Sequence, residues 1–261
     1  MKALSIAATG MLAQQLNVEV ISNNIANMNT TAYKRQRAEF QDLLYQNIER
    51  AGAASSDAGT VVPTGIQIGV GVRTAGVYRV TSQGELVNSD TPLDIAINGK
   101  GYFRVPLPSG EDSYTRSGSF QLSPEGEIVN SEGYPVSPGI TIPQEAIDIS
   151  INGNGEVLVK IEGQLEPQNV GQFEIATFPN NAGLQAIGDN LLLETPASGA
   201  ATIGAPNTPG FGAIVQGYLE RSNVNSVAEI TQLIAAQRAY EMNSKVISTA
   251  DEMLSVTSNL R

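Results

Sequence analysis

Residues 226–261 read SVAEITQLIAAQRAYEMNSKVISTADEMLSVTSNLR, and this stretch decides the architecture. After Ser226 no Gly or Pro occurs as far as Asn259. Ser226 and Glu229 fit a capping box, in which a hydroxyl and a carboxylate each satisfy an orphan backbone N–H of the first turn. The pattern predicts a helix of about nine turns, roughly 50 Å long at 1.5 Å per residue. Ile230, Leu233, Gln237, Tyr240, Ser244, Ile247 and Leu254 form one stripe along it. Ala235, Ala239, Met242, Val246, Met253, Val256 and Leu260 form a second. A surface helix usually shows one apolar stripe toward its core, so two stripes call for neighbours on both sides. Other chains can supply them.

The opposite end carries a matching pattern. Leu4, Ala7, Met11, Gln14, Val18, Ile21, Ile25 and Met28 recur three and four residues apart, and residues 27–31 supply stop and turn residues. This predicts a first helix ending near Asn27 and nearly 40 Å long. Chain ends that meet beyond a central domain give a simple topology. The two helices are therefore expected to pair as an antiparallel coiled coil, each covering one stripe of the other. Candidate subunit-interface residues are Leu4, Met11, Val18, Ile21, Asn24, Ile25 and Asn27 on the first helix. On the last helix they are Ile230, Leu233, Gln237, Tyr240, Met242, Val246, Ile247, Met253 and Leu254. Asn23, Asn24, Asn27 and Asn29 crowd the first helix's end, either as caps of a helix exit or as hydrogen-bonding groups in a close-packed wall.

Between the ends the period changes. A second, shorter helical stretch is predicted over residues 33–48, then a small, polar, flexible linker over 51–59. From Ile66 onward β-branched residues alternate, and Asn98-Gly99, Glu125-Gly126, Glu132-Gly133, Asn152-Gly153 and Asn154-Gly155 punctuate short apolar runs as hairpin turns. The fold class expected is α+β. Residues 1–32 and 224–261 form the terminal helical part, 33–70 a helical or extended connection, and 71–223 a central antiparallel all-β domain.

Composition narrows the chemistry. The 261 residues contain no Cys, His or Trp, which removes disulfides, thiolate ligands, the usual general base and the commonest metal ligand. No cofactor, metal or catalytic residue is expected. Gly69-Val70-Gly71 and Gly99-Lys100-Gly101 lack the full spacing of phosphate loops and read as glycines of strand turns. Asp94, Glu125 and Glu127 offer a glycosidase pair on paper, but Glu125 and Glu127 flank a turn glycine where acids are common and solvated.

No long uncharged apolar run predicts a membrane span. Gln14, Gln15, Asn17 and Glu19 interrupt any signal-peptide core, so no cleaved signal is expected. Membrane-surface helices usually carry many cations, whereas residues 1–30 offer only Lys2. The net charge of −11 lies wholly in residues 51–221, with seven basic and eighteen acidic side chains. Such a surface repels nucleic acid and anionic lipid, and Lys34, Arg35 and Arg37 read as a solvated patch at a helix exit.

Four motifs then support a resemblance. Residues 21–27 (ISNNIAN) with 29–34 (NTTAYK) resemble the N-terminal signature of bacterial flagellar rod and hook proteins, and 235–245 (AAQRAYEMNSK) their C-terminal signature. Residues 99–103 (GKGYF) and 114–120 (YTRSGSF) are similar to the family's central β motif. Residues 34–45, 65–73 and 216–218 are similar to its distal-rod members in particular, with proximal rod or other axial proteins as the alternative. Ala32 departs from the pattern, standing where the family often has Gly. The resemblance implies a structural subunit of the distal rod, the drive shaft that crosses the periplasm. Such a subunit is exported through the flagellar type III apparatus and polymerises helically with itself. Proximal rod proteins lie below it, hook protein above, and the L/P ring bushing around it. Its terminal helices would line the axial channel as an inner tube and its β domain would form the outer layer.

Overall fold

A computed structural model describes residues 2–49, 64–162 and 166–259 of the chain. Two long helices, α1 (Lys2–Ala26) and α2 (Ser226–Asn259), bracket a series of short antiparallel strands, giving the α+β class. The expected linker at 51–59, and Leu260 of the second stripe, lie outside the described residues. The chain divides into two units, one of Met1–Ala26, Gln36–Tyr78 and Asn225–Arg261, the other of Asn27–Arg35 and Arg79–Val224.

In the first unit α1 and α2 pack along each other. Asn24 near the end of α1 meets Glu229 at the start of α2, while Gly10 faces Asn243 farther along, so the helices run antiparallel. The start of α2 differs from the expected capping box. Asn225 is the cap, its Oδ1 accepting from Ala228 N at 3.1 Å and its carbonyl from Glu229 N at 3.0 Å. The Glu229 carboxylate instead turns to α1 and accepts from Asn24 Nδ2 at 3.1 Å. Asn225 is as good a cap as Ser226 and starts the helix one residue earlier, and the buried amide of Asn24 claims the acid.

The helix expected over 33–48 is not formed. Gln36–Asp42 and Tyr45–Glu49 are strands, paired with Val72–Arg79 and with Ile66–Gly69. Gln36, Ala38 and Phe40 alternate with exposed Arg37 and Glu39, a period of two that helical propensity in Ala, Glu, Gln and Leu had masked. The first strand is also held at its origin. Asn24 Nδ2 donates to Gln36 O and Asn24 Oδ1 accepts from Gln36 N, both at 2.8 Å, in the manner of a neighbouring strand.

The second unit is the β domain. Its largest sheet runs Gln185–Gly188, Leu191–Leu193, Asp112–Thr115, Tyr102–Pro106, Ile175–Thr177, Thr202–Gly204, antiparallel throughout. Alternation sends Phe103, Val105, Ile175 and Leu191 into the main core and Tyr102, Tyr114 and Ala176 into a smaller cluster with Phe178 and Leu184. Phe103, Phe120 and Phe173 meet at the centre of the main core, Phe103 edge-on to Phe120 at 5.1 Å.

The two central motifs are the inner and outer parts of one turn clamp. Arg116 is buried, and its guanidinium donates to the carbonyls of Ile97 (2.9 Å), Gly99 (2.6 Å) and Gly101 (2.6 Å), closing the turn between Ile95–Asn98 and Tyr102–Pro106. Gly118 has no alternative: a Cβ there would lie 1.6 Å from Ile95 O.

Candidate functional site

Among the described residues no cluster of acids suits a metal ion, and no helix is long and apolar enough to cross a membrane. The distinctive surface is that of α2. Glu229, Ala236 and Ala250 are buried and Asn243 is turned toward Gly10, so the line facing α1 recurs every seven residues. The opposing line on α1 holds Ala7, Gly10, Ala13, Val20 and Asn24. On the α2 side this line is made of small and polar side chains.

At 100° per residue, the Glu229–Ala236–Asn243–Ala250 line falls between the two apolar stripes read from the sequence. Leu233 and Ile247 are half-buried on one side of it, and Ala239 on the other. Most of both stripes stays open: Met242 is 64% exposed, Met253 61% and Val256 60%, with Ile230, Tyr240, Val246 and Leu254 also exposed. Gln237 is exposed too and, with Gln15, Val18, Glu19, Tyr240 and Glu241, lines a groove of about 510 Å³ beside the seam.

The sixteen candidate residues therefore separate. Ile21 and Asn24 are consumed inside the chain, at 2% and 1% exposure. Leu4, Met11, Val18, Ile25 and Asn27 are half-buried. The Asn27 side chain accepts from Thr30 Oγ1 at 3.1 Å, within the turn that follows α1. Sequence reasoning passed over Leu12, Val227 and Ile234, which are exposed. Val227 and Ile234 lie on the face opposite the seam, outside both stripes, where a seven-residue spacing between two apolar residues was the available signal.

Three family models match successive parts of the chain. A flagella basal body rod protein model covers residues 4–34, the D1 domain of flagellar hook protein FlgE/F/G covers 96–159, and the C-terminal model of flagellar basal body rod FlgEFG proteins covers 215–260. The flagellar basal-body rod protein FlgG of Caulobacter vibrioides is 64% identical over all of this chain and all of its own. The chain belongs to the flagellar basal-body rod protein family. FlgG of Agrobacterium fabrum is 51% identical over 99% of this chain and 98% of its own, and FlgG of Bacillus subtilis 37% over 100% and 99%. These relatives are rod proteins by name, in keeping with a structural role, and the matched terminal segments are those that build the α1–α2 seam.

Proposed function

We propose that this protein is the structural subunit of the distal rod and that it polymerises through the faces of α1 and α2 left open beside their seam. The observation that carries this is the pair of uncovered apolar stripes on α2, flanking a seam of Ala, Asn and Glu. Each large apolar side chain brought out of water contributes about 1.5–3 kcal/mol. A helix holding Met242, Val246, Met253 and Val256 in solvent thus gains most by packing against another copy. In this reading α1 and α2 form an antiparallel coiled coil, and residues 1–32 and 224–261 build an inner tube that lines an axial channel. Residues 33–70 connect, and 71–223 form the outer layer. The rod then transmits torque from motor to hook, with proximal rod proteins below, hook protein above, and a ring bushing around it in the periplasm. The concentration of negative charge in residues 51–221 favours an outer layer that slides past that bushing instead of adhering. In the same reading the subunit is exported by the flagellar type III apparatus.

The test is complementation in a motile host. Met242→Glu with Met253→Glu should abolish swimming while the protein accumulates normally. Swimming at the wild-type rate with both acids in place would refute the polymerisation surface.

A further inference from the structure

The β unit contains a buried ion cluster outside the assembly surface. Glu220, 2% exposed, ends the strand Tyr218–Glu220. Its carboxylate accepts from Arg116 Nε at 2.6 Å, from Gly84 N at 2.9 Å and from the Lys34 ammonium, which also donates to Ser82 O at 2.9 Å. The Glu220 carbonyl accepts from Ala32 N at 2.7 Å. Three residues on, Asn223 Oδ1 accepts from Arg35 N at 2.7 Å, and its Nδ2 donates to Val80 O at 2.9 Å and Ser82 O at 3.0 Å. Val80 N in turn donates to Arg35 O at 2.8 Å. Three stretches of chain, around 32–35, 80–84 and 220–223, are thereby tied together. They are the stretches by which the chain leaves α1, re-enters the β unit and departs for α2.

The ion pairs add to backbone hydrogen bonds between the same stretches, from Ala32 N to Glu220 O, Val80 N to Arg35 O and Arg221 N to Glu85 O. The ladder between Leu86–Asn88 and Tyr218–Glu220 has three residues a side, and Val87 and Tyr218 are exposed. A two-stranded ladder of this length contributes little by itself. A Cβ at Gly84 would lie 1.9 Å from Arg221 O, so this loop too is pressed against the departing strand. A buried carboxylate facing two cations and an N–H, by contrast, is costly to break one partner at a time.

We propose that Glu220 and Asn223 form a latch that makes the segments flanking both terminal helices part of the cooperative core of the β unit, so that strain entering from either helix meets that core and not a fraying edge. Lys34 and Glu220 stand 186 residues apart, and the latch closes only when both flanks are in place. Arg116 joins it to the main core through the carbonyls of Ile97, Gly99 and Gly101.

Native-state hydrogen exchange on the full-length monomer tests this. The amides of Ala32, Arg35, Val80 and Gly84 should exchange through the same denaturant-dependent opening as those of Tyr102, Phe103, Arg104 and Val105, with protection factors within about tenfold. In Glu220→Gln, and in the milder Asn223→Ala, the flanking amides should lose at least about tenfold more protection than the core strand. Flanking amides in the wild-type chain that exchange about a hundredfold faster than the core, by a denaturant-independent local opening, would overturn the latch. So would an Asn223→Ala variant in which Arg35 keeps its full protection.

Discussion

At the scale of single residues, Glu220 is a buried carboxylate with two cations and a backbone N–H as partners. Burial alone would raise its pKa, but the cations of Arg116 and Lys34 and the Gly84 N–H win, and the carboxyl is held below its ordinary value of 4.5. Burial lowers the Lys34 ammonium, with Glu220 offsetting part of that shift. Removing the carboxylate strands two buried cations, so Glu220→Gln should lower stability by about 3–5 kcal/mol in urea titration. A depressed folded-state pKa contributes stability that is complete above the unfolded value and lost as pH falls through the folded one. The wild-type advantage over Glu220→Gln should therefore hold steady near neutrality, shrink below pH 4.5 and vanish in stronger acid. Tyr102, which also feels Glu220, titrates far above that window. An advantage unchanged down to pH 2 would count against the ion cluster. Ala32 adopts φ +58°, a left-handed conformation that Gly enters at less cost, and Ala32→Gly should raise the unfolding free energy by about 0.5–1 kcal/mol. Of these groups, Arg116, Ala32 and Lys34 stood out in the sequence as parts of motifs, although Lys34 was expected in a solvated patch and is instead largely buried against Glu220. Glu220 did not stand out, because its value arises from partners 104 and 186 residues away.

At the scale of elements, the helices and the strands from Ile66 onward were legible, and the two strands that follow α1 were not. A 3.6-residue period, a cap and the absence of Gly and Pro are local signals, and they located α2 to within a residue. Gln36–Glu49 carries helix-forming residues, and its identity as strands depends on partners at 66–79, about thirty residues on, and on the Asn24 amide. The seam was misplaced for a related reason. Hydrophobicity marked the stripes, whereas the line that α1 covers is small and polar: Ala236, Asn243, Ala250. Ala236 is 3% exposed on that line, and Ala236→Leu should force the helices apart at a cost of about 1–3 kcal/mol, seen as an earlier loss of helical circular dichroism. An unchanged helical transition would mean that α1 and α2 do not meet there.

At the scale of the whole molecule, charge and apolar surface are segregated along the chain. Residues 51–221 hold the entire −11, while the flanking helices are near neutral and retain open apolar stripes. The first property keeps copies soluble, and the second gives them a reason to associate. Electron microscopy of the concentrated full-length protein, wild type beside Met242→Glu/Met253→Glu, measures this balance most directly. The account predicts straight tubes from the wild type and dispersed particles with an intact β unit from the double variant. Dispersed wild-type particles, or tubes formed equally well by both, would contradict it.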